Sequence, residues 1–140
     1  MLRAEFDKQA PFSWKSEFTT VHPVCCCYPM TVKIDESIGA AQDGTFAITS
    51  KTDANCVGCP SKSFSGSGTM SATDLSSTYT DHRGIVTNST LTSYDAEKKV
   101  ATYQSTAPGH AGITQTIEFA LGRRTVTIGN RKAMVFELVK

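Results

Sequence analysis

The sequence predicts an all-β protein, a single-domain antiparallel meander that closes into a β-barrel, which we favour over a β-sandwich. Threonine and serine are abundant, with 19 and 14 of the 140 residues, and the β-branched threonine favours a pleated, half-exposed surface. Apolar and polar residues alternate along much of the second half of the chain, which is the signature of half-buried strands. Tight-turn signals separate the alternating segments, and a long meander tends to close because open edges invite aggregation.

The clearest strands lie at the C-terminal end of the chain. Apolar residues of one parity alternate there with polar ones, at Ile113, Ile117, Phe119 and Leu121. Gly129-Asn130 lies between two alternating runs and predicts a hairpin turn, so a last strand runs from Ala133 to Val139. Five residues are expected in the core or along a cavity inside it: Tyr103, Phe119, Val126, Ile128 and Val135.

The upstream sequence predicts further short strands. The segment "IVTNSTLTSYDAEKKVATYQST" predicts a hairpin with "DAEKK" as its turn, and "TFAITSKT", "MTVKIDES" and "SWKSEFTTV" predict single strands. Gly66 and Gly68 interrupt "SKSFSGSGTMSAT", as glycines do at a bulge or a barrel corner. We expect residues 1–12 to form an N-terminal arm or short helix and residues 13–140 to form one barrel domain.

All five cysteines lie in "HPVCCCYPM" and "NCVGCP". A C-x-x-C turn at Cys56 and Cys59 presents two thiolates to one ion, and Cys25 and Cys27 would share a strand face that completes a four-thiolate zinc site. Free cysteine is also among the most buried residue types. The residue types favour core packing over zinc binding, and zinc binding over disulfide or redox chemistry, because the cysteine count is odd and no helix follows the C-x-x-C turn.

Several common functions are excluded by composition and motifs. The formal net charge of +1 lacks the basic excess of a nucleic-acid-binding protein. No serine-hydrolase elbow, phosphate-binding loop or dinucleotide motif is present, so no catalytic residue is predicted and a binding protein is favoured over an enzyme. The pairs Arg123-Arg124 and Arg131-Lys132 are interpreted as solvated turn residues.

Three functions stay open. The first is a binding module for a small apolar or amphipathic ligand, as in calycin-like barrels, with no cofactor. The second is a structural or interaction subunit whose N-terminal arm, Met1 to Pro11, docks on a protein partner. The third is an enzyme or metal-binding protein that uses the cysteines. The charged N-terminal residues and the absence of a long apolar run predict a soluble cytoplasmic protein with no membrane span.

Overall fold

The computed structural model describes residues 4–6, 11–21, 29–56, 61–129 and 133–139. These residues form a short helical turn at 4–6 and ten strands. The strands are β1 Phe12–Val21, β2 Pro29–Ile38, β3 Thr45–Cys56, β4 Lys62–Ser71, β5 Ser77–Thr80, β6 Val86–Asp95, β7 Val100–Ala107, β8 His110–Glu118, β9 Arg123–Ile128 and β10 Met134–Val139.

The ten strands form a closed antiparallel barrel, which confirms the predicted fold class. Each strand pairs with its neighbours in sequence, and β1 closes the barrel by pairing with both β2 and β10. Ser13 is the Cα partner of Ser37 in β2 and of Val139 in β10. Closure leaves no free edge, and this favours a barrel over a sandwich for a meander of this length.

Turn chemistry fixes the register of the hairpins. Between β2 and β3, Asp43 and Gly44 both adopt positive φ, 52° and 78°, as a two-residue turn of type I′ requires. Asp95 opens the turn between β6 and β7 by accepting hydrogen bonds from the backbone N–H groups of Glu97 and Lys98, each at 3.0 Å. The "DAEKK" turn predicted from the sequence is therefore present.

The alternating residues of each strand divide between the barrel interior and its surface. Trp14 and Ser16 are buried in β1, as their shared parity predicts, whereas Lys15 and Glu17 are exposed. The predicted core residues Tyr103, Phe119 and Val126 are buried, and Ile128 lines an interior cavity. Their positions confirm the predicted face assignment in β7 and β9.

One predicted core position, Val135, is wrong, and the alternation also fails at Leu121. Val135 is 43% exposed, because β10 turns Met134 and Phe136 inward and leaves Val135 on the outer face. Leu121 is 61% exposed, because β8 ends at Glu118 and the chain turns before the alternation reaches this residue. In both cases the register of one strand end decided the face.

Aromatic side chains fill one end of the barrel. This end, the proximal rim, is where β1 and β3 begin and β2 ends. The Phe6 ring, only 1% exposed, lies 5.3 Å from the Phe119 ring and 5.9 Å from the Phe46 ring. Glu5 forms an ion pair with Lys99 at 3.3 Å. The helical turn thus caps the proximal rim.

The two glycines of β4 provide room for the Tyr79 side chain and for the backbone of β5. A Cβ at Gly66 would lie 2.1 Å from Tyr79 Oη, and one at Gly68 would lie 2.1 Å from the backbone oxygen of Thr78. Neither glycine has positive φ. Glycine is needed here for close packing between β4 and β5, whereas the sequence predicted a bulge or a corner.

Candidate functional site

The interior of the barrel contains a cavity of about 310 Å³. Most of the surface of its wall is apolar, although about half of the lining side chains carry a polar atom. The lining residues come from the inward faces of all ten strands and from the N-terminal turn. They are Phe6, Trp14, Ile34, Glu36, Ile38, Ile48, Ser50, Thr52, Met70, Ser77, Tyr79, Thr87, Ser89, Tyr103, Ile113, Gln115, Ile117, Arg124, Val126, Ile128, Met134 and Phe136.

Arg124 and Glu36 form an ion pair in the wall of this cavity. Arg124 lies in β9 and Glu36 in β2, and two strands separate them in the barrel. The guanidinium donates from both terminal nitrogens to the carboxylate: Nη1 bonds to Oε1, and Nη2 bonds to Oε2 at 3.0 Å. Bidentate pairing of this kind fixes both side chains and has the geometry of the stronger charge-assisted hydrogen bonds.

Aromatic residues of the two intervening strands support the ion pair. Trp14 is the Cα partner of Glu36, and Phe136 is the Cα partner of Arg124. The guanidinium carbon lies 4.2 Å from the centre of the Phe136 ring and 5.9 Å from that of Trp14. These distances allow cation–π attraction. The strand order therefore places a charge pair and two aromatic rings together on one wall.

Three polar atoms of the lining are buried without a hydrogen-bond partner in the described structure: Trp14 Nε1, Tyr103 Oη and Arg124 Nε. The residues that carry them are 1%, 5% and 7% exposed. The indole and guanidinium nitrogens can only donate, while the phenol can donate or accept. A buried polar group that stays unpaired lowers the stability of the fold by about 1–3 kcal/mol. Most buried polar groups in proteins have a partner, so these three atoms are exceptions.

Tyr103 keeps its proton over the whole neutral range. Burial, with a smaller contribution from the negative charge of Asp74, raises the pKa of the Tyr103 phenol above its ordinary value of 10.0. The buried phenol therefore stays neutral and keeps its O–H group.

A second polar cluster lies next to Tyr103. The Ser89 and Ser105 hydroxyls hydrogen-bond to each other at 2.6 Å, and Gln115 Nε2 donates to Ser105 Oγ at 3.1 Å. Gln115 is the Cα partner of Tyr103. These polar side chains satisfy one another, which distinguishes them from the three unpaired atoms.

The predicted zinc site lies mostly outside the described residues. This applies to Cys25, Cys27 and Cys59 and to the side chain of Cys56. The backbone of Cys56 ends β3 and pairs with Met30 at the start of β2. The end of β1 at Val21, the start of β2 at Pro29 and the end of β3 at Cys56 therefore lie at the same end of the barrel, the distal rim. Within the described residues, no group of three or more histidine, cysteine, aspartate or glutamate side chains is placed to hold a metal.

The interpretation of the basic pairs needs a correction. Arg123 is exposed beside the turn, but Arg124 is a buried strand residue with a carboxylate partner. Arg131 and Lys132 lie outside the described residues. The alternation along β9 indicated that Arg124 faces inward, since Arg124 shares a face with Val126 and Ile128.

Glu36 was missed for a similar reason. It shares a face with Ile34 and Ile38, whereas the charged neighbours Lys33 and Asp35 point the other way. A carboxylate and a guanidinium on inward faces of two strands would have indicated a buried pair.

No family model, curated protein or solved structure matches this chain. Among the described residues, no helix has the length and apolar character needed to cross a membrane.

Proposed function

We propose that this protein is a binding module that holds a small apolar or amphipathic molecule inside its barrel. The observation that carries the proposal is the interior cavity of about 310 Å³. Protein interiors otherwise contain few voids larger than a water molecule, and ligand pockets begin at about 300 Å³. At about 30 Å³ for each water-sized group, the cavity suits a ligand of roughly ten non-hydrogen atoms.

The chemistry of the wall also supports ligand binding. Isoleucine, valine, methionine and phenylalanine supply half of the lining residues, and side chains with hydroxyl, amide or charged groups supply most of the rest. Binding sites for small molecules typically combine an apolar wall with a few polar groups that orient the ligand. Transfer of the apolar part of a ligand from water into such a cavity is favourable and contributes to the free energy of binding.

Binding is better supported than catalysis. The Ser89 hydroxyl lines the cavity and hydrogen-bonds to Ser105, to which Gln115 donates. A serine nucleophile needs an adjacent general base, and an amide cannot act as one. Glu36, the carboxylate of the described lining, is held in its bidentate pair with Arg124.

Trp14 provides a direct assay, since it is the single tryptophan of the chain and lines the cavity. Cumene, a hydrocarbon of suitable size, would be titrated while the Trp14 emission is recorded, and thermal unfolding would be followed in parallel. We expect a saturable change in emission and a higher unfolding temperature, because a ligand that binds only the folded state stabilises it.

Two valine variants locate the binding site. Val126→Phe adds a phenyl ring to the cavity wall, whereas Val135→Phe makes the same change on the outer face of β10. Circular dichroism would show that both variants fold. We expect Val126→Phe to abolish cumene binding and Val135→Phe to retain it. Equal binding by the two variants would place the ligand outside the barrel and contradict the proposal.

A further inference from the structure

The charges on the cavity wall cancel. Arg124 contributes one positive charge and Glu36 one negative charge, and these are the formal charges among the described lining residues at neutral pH. Both terminal nitrogens of the guanidinium are already bound to Glu36. The wall therefore offers no uncompensated positive charge to a second anion.

Two residues of the wall nevertheless carry an N–H group without a hydrogen-bond partner. Arg124 Nε lies on the guanidinium outside the two bonds to Glu36, and Trp14 Nε1 belongs to the ring beside it. Both N–H groups can only donate, and both residues are more than nine-tenths buried. A ligand that brings an acceptor oxygen to this part of the wall would satisfy donors that otherwise stay unpaired.

We propose that the cavity selects a small neutral ligand with a carbonyl oxygen, that is, a ketone, an aldehyde or an ester, which accepts hydrogen bonds from Arg124 and Trp14. This proposal rests on the proposed binding function and adds the ligand's chemistry to it. The apolar body of the ligand fills the space between the aliphatic residues, and its oxygen lies against the wall that carries the ion pair.

Two competing ligand types fit this wall less well. A hydrocarbon of the same shape leaves both N–H groups without an acceptor, and unpaired buried donors lower affinity. A carboxylate satisfies the donors, but it puts two negative charges beside one guanidinium. A buried charge without its own counter-charge is strongly disfavoured.

The test compares three ligands of nearly equal size by isothermal titration calorimetry at neutral pH: acetophenone, cumene and benzoate. They present to the same wall a neutral carbonyl, a hydrocarbon and a carboxylate. We expect acetophenone to bind about tenfold more tightly than either of the others, as a gained pair of hydrogen bonds allows. This comparison uses the unmodified protein and does not depend on the folding of a variant.

The variant Trp14→Phe identifies the donor. It keeps an aromatic ring in the wall and removes the indole N–H. We expect its affinity for acetophenone to fall about threefold to tenfold, while its affinity for cumene changes less than about twofold.

The outcomes distinguish failure of the carbonyl preference alone from failure of the binding function. Equal affinity for acetophenone and cumene would overturn the carbonyl preference and leave the binding function standing. Tightest binding of benzoate would overturn it in favour of an anion that displaces Glu36. If none of the three ligands binds the unmodified protein, the binding function fails together with the carbonyl preference.

Discussion

The ion pair between Arg124 and Glu36 should be among the most sensitive points of the fold. Glu36→Gln keeps the size and hydrogen-bonding capacity of the side chain but removes its negative charge. The guanidinium of Arg124 would then remain in the barrel wall, between the Phe136 and Trp14 rings, without a counter-charge. Arg124 is only 7% exposed on the inward face of β9, so its guanidinium would stay largely removed from bulk water.

The expected loss follows from burial. The side chains of Arg124 and Glu36 are 9% and 16% exposed, and breaking a buried pair by removing one partner costs about 3–5 kcal/mol. For a chain of this size, 1 kcal/mol corresponds to about 3–4 °C in unfolding temperature. We therefore expect the unfolding temperature of Glu36→Gln to fall by about 10–20 °C.

Asp35→Asn is the matched control. Asp35 is the neighbour of Glu36 in β2, but it faces outward and pairs with Lys15 at 3.5 Å, with side chains 48% and 56% exposed. Exposed pairs contribute at most about 1 kcal/mol. Thermal unfolding at low ionic strength, where charges are least screened, would be followed by Trp14 emission for both variants.

Equal losses for Glu36→Gln and Asp35→Asn would refute this reasoning, because they would mean that water screens the Arg124 charge. The double variant with Arg124→Met added provides a second check. Removing both charges should recover much of the lost stability, since a buried pair can be replaced by apolar groups at little cost.

Three further predictions concern close packing, an unpaired hydroxyl and the cysteines. Gly68→Ala should lower the unfolding free energy by about 1–3 kcal/mol in urea titrations, because its Cβ would lie 2.1 Å from a backbone oxygen; Gly39→Ala, whose nearest such contact is 4.0 Å, should change it by less than about 0.5 kcal/mol. Tyr103→Phe should raise the unfolding free energy by about 1 kcal/mol or more, because it removes a buried hydroxyl that has no hydrogen-bond partner. The wild type should also lose stability as pH rises above 10.0, since burial raises the pKa of the folded phenol and the unfolded chain releases its proton first; equal pH profiles for the two proteins would contradict this. Elemental analysis of protein purified without added metal should find near one zinc per chain, lost on changing Cys56 and Cys59 to serine, if the thiolate site exists. Metal-free folded protein with five titratable thiols after denaturation would instead support core packing of the cysteines.

Local sequence information was sufficient for most of the strands, although it did not predict the four-residue strand β5, Ser77–Thr80. The alternation around Ile113 and Ile117 predicted a half-buried strand, and the "DAEKK" segment predicted a hairpin turn. Both signals involve residues a few positions apart, and the pleat of a strand converts such spacing directly into inward and outward faces. The prediction of a closed barrel followed because so many short strands need a partner on both edges.

The candidate site was not predicted, because its parts are far apart in the sequence. Arg124 and Glu36 are 88 residues apart, and each looked like one more charged residue of a polar strand or turn. Charged side chains are usually solvated, so the general expectation placed Arg124 at the surface. The alternation within each strand placed both residues inward, but only the pairing of two inward charges made that placement favourable.

The sequence by itself determined the class of the fold, the order of the strands and most of the inward faces, since these depend on local periodicity and turn residues. The tertiary structure decided which inward residues meet, because closure of the sheet through β1 and β10 brings β2 and β9 within reach of one charge pair. It also decided that the interior keeps a cavity instead of filling completely. Cavity volume depends on how side chains from ten strands share one space, and no single segment of the chain contains that information.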